Sequence, residues 1–169
     1  MSSGIRSKPL HKTAQILAAS ATLQGIMTAA HGSAATATGA LEHVHVYAAT
    51  DKDDAHPRPR VIVSFGPDWD STKRGTGARF YSGSTEICFE FPPADTEDTD
   101  AENLIAFADT VGAILNECEA IAGQGNAGDG ETYINIVQFT AKNAPDYCVA
   151  QNEGGESYLI DTYTARWEG

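Results

Sequence analysis

Three groups of residues have types and spacings that could support chemistry, and the first is glycine-rich. Residues 123–128 match the pattern G-x-G-x-x-G of dinucleotide-binding loops. That function requires the glycines to follow a strand and open a helix, so that pyrophosphate meets the positive helix N-terminus. Here they are predicted to follow a helix and precede a strand, and a helix C-terminus repels anions. We therefore interpret the segment as a connection between a helix and a strand.

Histidines and carboxylates form the second and third groups. His43 and His45 are two residues apart on a predicted strand, so their imidazoles share one face and could ligate a metal. His31 and His56 lie in flanking segments and could approach, but no third ligand has an informative spacing, and surface histidines are the simpler interpretation. The acidic residues at 95–102 lack the ligand order of a calcium-binding loop. A solvated helix cap explains them better.

The three cysteines do not form a recognisable disulfide framework or zinc site, because their number is odd and no Cys-x-x-Cys pair is present. We expect free thiols. Glutamates lie beside Cys88 and Cys118 and should raise each thiol pKa, which disfavours nucleophilic catalysis. The sequence also lacks a G-x-S-x-G elbow, a Walker lysine and an H-E-x-x-H motif. We predict a protein that is not an enzyme and has no metal or cofactor.

A polar stretch at 66–79 is the strongest candidate for a binding element. It contains three glycines and one proline, together with Trp69 and the cations Lys73, Arg74 and Arg79. Long loops in small domains are usually functional or disordered. One interpretation is the solvated tip of a hairpin. The functional interpretation is an arm that contacts a partner subunit.

Length and charge limit the classes of function. The chain has 169 residues, which suits one domain, predicted at 9–169 after a flexible tail at 1–8. The net charge of −12 disfavours a coat for phosphate backbones or anionic membranes. Residues 1–80 carry nine basic and six acidic side chains, whereas 81–169 carry two and 17. This division predicts a basic and an acidic surface on one molecule, if the separation survives folding.

Hydrophobic periodicity predicts the elements that position these residues. Apolar side chains at three- and four-residue steps predict helices over 9–30 and 100–122, with a small-residue linker at 33–39. Thr99 and Glu102 form a capping box at the start of the second helix. Strands are predicted at 42–48, 60–65, 85–91, 133–140 and 158–167, with a turn and a short strand over 142–149. The strand at 133–140 is apolar on both faces and is expected at the sheet centre. This order predicts an α+β fold, with a mostly antiparallel sheet of about 4–6 strands and two main helices packed on it.

The order and lengths of these elements resemble the tail terminator (tail completion) proteins of long-tailed bacteriophages and related tailed viruses. The likeness spans most of 9–169 and includes the ending from Tyr163 through Arg166 and Trp167 to Gly169. The resemblance implies a structural virion protein that forms a homo-hexameric ring at the head–tail neck. It would terminate the tail tube and bind the tube protein and a head-completion or stopper protein. DNA would pass through the ring without sequence recognition, and this family has no catalytic residues.

In such a ring the acidic half of the chain is expected to face the channel, a partner surface or an adjacent ring. The candidate acidic residues are Asp95, Glu97, Asp98, Asp100, Glu102, Glu117 and Glu119. The segment with Trp69, Lys73, Arg74 and Arg79 is expected to contact a neighbouring subunit or ring. Two alternatives stay open: another neck component, such as a head–tail adaptor or stopper, and a small intracellular ligand-binding or enzymatic α+β domain.

Overall fold

The computed structural model describes residues 7–46, 56–73, 79–95, 97–123, 135–149 and 155–169. Within these ranges the helices are α1 (Lys8–Ala18), α2 (Ala21–His31), α3 (Ala37–Leu41) and α4 (Asp100–Gly123). The strands are β1 (Val44–Val46), β2 (Arg60–Lys73), β3 (Arg79–Phe91), β4 (Asn135–Ala141), β5 (Asp146–Val149) and β6 (Ser157–Glu168).

The strands form one six-stranded sheet in the order β1-β2-β3-β6-β4, and β5 also pairs with β6. Only the β1–β2 pair is parallel among the described pairings, and the others are antiparallel. Helices pack on the sheet, which confirms the predicted α+β class. The described residues contain four helices, however, where two main helices were predicted.

The core lies between the sheet and the helices α1, α2 and α4. Alternate residues of β2 and β3 face it, so Val61, Ile87 and Phe89 are fully buried. The Thr13 hydroxyl of α1 lies 3.1 Å from that of Thr85 on β3, which holds this helix against the sheet. Cys118 of α4 is also fully buried and donates to a backbone carbonyl of α1.

The predicted helix at 9–30 is wrong as one helix, because the chain breaks between α1 and α2. Ser20 takes an extended conformation, and its hydroxyl accepts a hydrogen bond from the Leu23 amide, as an N-cap residue does. Gly32 ends α2 in the left-handed conformation with φ 70°. The bounds of two neighbouring segments also differ from the prediction. Lys8, predicted to lie in the tail at 1–8, begins α1, and α3 begins within the linker predicted at 33–39.

The predicted loop at 66–79 is wrong for most of its described length. β2 continues to Lys73 and β3 begins at Arg79, so the two strands form a long hairpin. The register shifts between Phe65 and Trp69, and this irregularity accommodates a Gly-Pro-Asp sequence that would otherwise end a strand. Residues 74–78 lie outside the described residues.

The predicted central position of the strand at 133–140 is also wrong. β4 lies at one end of the sheet order, and β6 occupies the interior position between β3 and β4. Most β4 side chains are exposed, whereas β6 buries Leu159, Asp161, Ala165 and Trp167. The capping box is confirmed, because the Thr99 amide donates to the Glu102 carboxylate at 2.8 Å and the Glu102 amide donates to the Thr99 hydroxyl.

Candidate functional site

The β2–β3 hairpin extends past the end of the last strand. β6 ends at Glu168, opposite Ser82, and the backbone of Gly169 pairs with Tyr81 at 2.8 and 2.9 Å. The strand residues of β2 and β3 beyond that point pair only with each other in the described part of the chain. We call the end of this hairpin the arm, and define it as residues 69–73 and 79–82; within it only the pairs 72–80 and 73–79 lie beyond the last strand.

An aromatic cluster lies at the base of the arm. The Trp69 ring centroid is 5.6 Å from that of Tyr81 and 5.7 Å from that of Trp167. Trp69 and the nearby Phe65 each keep 37% of their surface exposed. Exposed aromatic side chains on a fixed scaffold are typical of residues that contribute strongly to protein interfaces. Trp69, predicted as a contact residue, therefore packs partly on its own subunit and remains accessible.

Two of the predicted cationic residues lie opposite each other at the far end of the arm. Lys73 ends β2, Arg79 begins β3, and the two are direct partners in the strand register. The third cation, Arg74, lies outside the described residues.

The acidic residues predicted to face a channel or a partner surface fall into two groups. The first group is at the start of α4 and is exposed, and it comprises Asp95, Glu97, Asp98, Asp100 and Glu102. We call this group the acidic segment. Glu117 and Glu119 lie 17 and 19 residues beyond Asp100 on the same helix, which is about 25 Å away at 1.5 Å per residue. The structure therefore does not bring the seven carboxylates together.

Glu117 is engaged within its own subunit. Its carboxylate accepts hydrogen bonds from the Ser20 hydroxyl at 2.5 Å, the Thr22 hydroxyl at 2.6 Å and the Thr22 amide at 3.1 Å. Burial alone would raise the Glu117 pKa, but these hydrogen bonds outweigh burial and hold the pKa below its ordinary value. Glu117 thus caps the N-terminus of α2 from α4.

An apolar groove of about 440 Å³ lies between α2, α4 and the end of β3. Its lining is mostly apolar: Ile26, Ala29, Ala30, Pro59, Phe91, Pro92, Pro93, Ala94, Asn103, Ala106, Phe107, Thr110 and Leu159. Exposed Asp95, Glu102 and Asp109 adjoin lining residues in sequence, and Arg58 and Arg60, which both contact Glu90, flank the lining residue Pro59. Sequence reasoning missed this groove, because it assigned the small and apolar residues of both helices to the core.

The arm and the groove occupy opposite ends of β3. Tyr81 belongs to the arm, Phe91 lines the groove, and ten residues separate them along the strand. At about 3.3 Å per residue, the separation is about 33 Å. One end of the sheet therefore has a partly exposed aromatic cluster, and the other end has an apolar recess.

Two of the three cysteines, Cys88 and Cys118, are poor nucleophiles. Burial, with a further contribution from Glu90, raises the pKa of Cys88 to about 12. Burial, together with Glu117 and Glu119, raises the pKa of Cys118 to about 12. The predicted direction is confirmed, although burial contributes more than the neighbouring charges. A thiol that stays protonated at neutral pH is a poor nucleophile.

Four of the five histidines form two stacked pairs of rings. The rings of His31 and His43 are 4.0 Å apart, and those of His45 and His56 are 3.9 Å apart, with interplanar angles of 18° and 20°. Because nitrogen lone pairs lie in the ring plane, near-parallel rings do not direct two nitrogens at one ion. Burial and the neighbouring His31 lower the pKa of His43, against the opposing effect of Glu42.

One buried acid was missed at the sequence level. Asp161 on β6 is 2% exposed, and neither of its carboxylate oxygens has a well-aligned hydrogen-bond partner among the residues that the structure describes. Burial raises its pKa to about 6, against a smaller opposing effect of the Thr162 backbone. The alternation of apolar residues along β6 could have revealed this buried acid, because Asp161 shares the core-facing side of the strand with Leu159 and Ala165.

The described residues contain no cluster of three or more histidine, cysteine, aspartate or glutamate side chains placed to hold a metal ion. No helix in the described ranges is long and apolar enough to cross a bilayer. A comparison with models of known protein families gives no match, and a search of curated proteins finds no significant similarity.

Proposed function

We propose that this chain is a tail terminator of a tailed virus, a structural subunit whose copies form a ring at the junction of tail and head. In this role the ring ends polymerisation of the tail tube and binds a head-completion or stopper protein. The order of elements that resembles this family is the starting point. An α+β domain with a mostly antiparallel sheet agrees with it.

The observation that carries the proposal is the arm. The hairpin ends beside Trp69, whose side chain keeps 37% of its surface exposed although it packs on Tyr81 and Trp167. Contact with a neighbouring copy would bury this indole surface. Repeated around a ring, such a contact is heterologous, and a heterologous contact closes when the rotation between copies allows it.

The charge distribution supports the same role. The exposed acidic segment provides negative charge away from the arm. An acidic channel repels the duplex, so DNA can pass without adhering to the ring. We expect no nucleophilic catalysis by Cys88 or Cys118, because burial holds both thiols protonated.

The proposal is tested by imaging tails of the virus that encodes this chain after the gene is deleted. A terminator's absence produces overlong tails, because nothing stops polymerisation of the tube. Normal-length tails that are detached from heads would instead assign the chain to the neighbouring role of adaptor or stopper. Restoring the gene in trans should return tail length to normal.

A further inference from the structure

We propose that the stacked rings of His31 and His43 form a pH-sensitive latch, which holds the end of α2 against the start of β1 at neutral pH and releases it on acidification. We call these two residues the histidine latch. The latch acts within one subunit, so this inference goes beyond the proposed ring function and does not depend on it.

The histidine latch lies where α2 meets the first two strands. His31 is the last residue of α2, and its Nε2 lies 2.8 Å from the carbonyl oxygen of Pro59, just before β2. The His43 carbonyl accepts a hydrogen bond from the Val61 amide at 3.0 Å, beside the pairing of β1 with β2. β1 has three residues and lies at one end of the sheet order, so it can open locally without unfolding the core.

The hydrogen bonds of the latch determine which nitrogen of each neutral ring carries the proton. A carbonyl oxygen only accepts, so His31 donates from Nε2 to Pro59. The Ser33 hydroxyl donates its one hydrogen to the Met27 carbonyl at 3.1 Å, so it accepts from Nε2 of His43, also at 3.1 Å. Both neutral rings therefore carry the proton on Nε2, and acid adds a second proton at Nδ1 of each ring.

Protonation of both rings would place two cations face to face. The ring centroids are 4.0 Å apart and the interplanar angle is 18°. His31 ends α2, where one cation interacts favourably with the helix dipole, but a second cation on His43 would be repelled by the first. Burial and this repulsion lower the pKa of His43, whereas the charge of Glu42 opposes them.

The sign of the pH dependence follows from the lowered pKa of His43. The neutral ring contributes stability above the ordinary histidine pKa of 6.5, and this contribution is lost as the pH falls through the folded-state pKa. The latch is therefore closed at neutral pH and opens in acid.

The other titratable groups around β1 do not oppose this response. His45 and His56 form a second stack, with centroids 3.9 Å apart, and their protonation acts in the same direction. α3 has no titratable side chain. The remaining titratable side chains in the described parts of α1 and the start of β2 are positive at neutral pH or become positive in acid: Lys8, His11, Lys12, and Arg58 and Arg60, which both contact Glu90.

The histidine latch also borders the apolar groove. Ala30 precedes His31 in α2, Pro59 accepts the hydrogen bond from His31, and both Ala30 and Pro59 line the groove. Release of the latch frees these two walls from each other. Acidification is therefore expected to widen the groove as well as to loosen β1.

The test is amide hydrogen exchange of the full chain at pH 7.5 and 5.0, corrected for the intrinsic effect of pH on exchange. We expect the protection of residues 42–46 in the wild type to be at least about threefold lower at pH 5.0. His43→Gln removes the second charge and keeps a donor near the position of Nε2, so its protection should change by less than about 1.5-fold. The control is His11→Gln, at an exposed histidine of α1, which should retain the wild-type response.

Persistence of the response in His43→Gln, or its loss in both variants, would overturn the inference. A second measurement needs no substitution and so does not depend on the folding of a variant. Imidazole ¹⁵N NMR of the wild-type chain at pH 8 should show His31 and His43 with the proton on Nε2. A proton on Nδ1 of either ring would also overturn the inference.

Two other titrations in the fold do not imitate this result. Asp161 ionises as the pH rises and its ionisation opposes folding, so acidification stabilises the fold through this residue. The pKa of Glu117 is held below its ordinary value, so its cap on α2 persists at pH 5.0. A loss of protection confined to the surroundings of β1 at pH 5.0 is thus specific to the histidines.

Discussion

The indole rings of Trp69 and Trp167 lie 5.7 Å apart, in register across Gly83 of the intervening strand. Trp69 belongs to the arm and Trp167 to the last strand of the sheet, so the contact fastens the base of the arm. Aromatic pairs of this kind contribute about 0.5–1.5 kcal/mol beyond the area they bury. The position of the arm thus depends on Gly83, which lies between the two tryptophans and has no side chain.

The first prediction is that Gly83→Ala destabilises the fold. A methyl group there would lie 2.6 Å from the Asp68 carbonyl oxygen and 2.8 Å from a carbon of the Trp167 ring. Relieving these contacts requires movement of backbone and of a buried ring. We expect the free energy of unfolding to fall by about 1–3 kcal/mol in urea denaturation.

The matched control is Gly112→Ala in the interior of α4. Nothing lies within 4 Å of a methyl group at that position. Alanine should therefore increase stability by about 0.5–1 kcal/mol through its helix propensity. A Gly83→Ala protein as stable as the wild type would contradict the close approach of Trp167 to the hairpin.

The second prediction concerns the cap that Glu117 provides to α2. Glu117→Gln should lower the free energy of unfolding by about 1 kcal/mol, because three hydrogen bonds to the carboxylate are weakened. Since the folded-state pKa is lowered, the wild-type advantage is present above the ordinary glutamate pKa. It is lost as the pH falls through the folded-state pKa. Thermal melts between pH 3 and 7 measure this trend.

Glu119→Gln is the control for this cap, because Glu119 is exposed and lies two residues away on the same helix. Its substitution should change stability by less than about 0.5 kcal/mol. If Glu119→Gln and Glu117→Gln cost the same at pH 7, the hydrogen bonds to Ser20 and Thr22 do not stabilise the fold.

The third prediction is the opposite pH dependence at Asp161. Its folded-state pKa is raised to about 6, so ionisation opposes folding. The destabilisation develops as the pH rises from about 4 to 6 and reaches on the order of 2–3 kcal/mol above that range. Asp161→Asn should therefore raise Tm by about 5–10 °C at pH 7.5 and by little at pH 4. A Tm difference that does not change with pH would show that the buried carboxyl is not the cause.

The fourth prediction concerns thiol reactivity. With a pKa of about 12, Cys88 and Cys118 are almost entirely protonated at pH 8. Alkylation by iodoacetamide should be at least about 100-fold slower at these thiols in the native protein than in urea, as measured by peptide mass spectrometry. Fast native labelling of Cys88 would reopen a catalytic function for this thiol.

The fold class could be predicted from the sequence because the spacing of buried apolar residues distinguishes helices from strands. Helix α4 with its capping box was placed within one residue. The long first helix was wrong because small residues continue the helical spacing through Ser20, and only the side-chain cap reveals the break. The position of β4 in the sheet order depends on long-range pairing, which local pattern does not encode.

The candidate site could be predicted only in part. Trp69 and the cations identified the arm, but the glycines and proline suggested a loop where the register shift allows paired strands. The groove could not be predicted, because it forms where α2, α4 and the end of β3 meet, far apart in sequence. Glu117 was placed on a surface because its partners Ser20 and Thr22 lie 95 or more residues away.

The central claim is that copies of this chain assemble into a closed ring, and native mass tests it most directly. Mass photometry or sedimentation should be performed on the full chain alone and with tail tubes present. A single closed species is expected, and six copies of the 17.9 kDa chain would give roughly 107 kDa. A 17.9 kDa monomer under both conditions would contradict the claim.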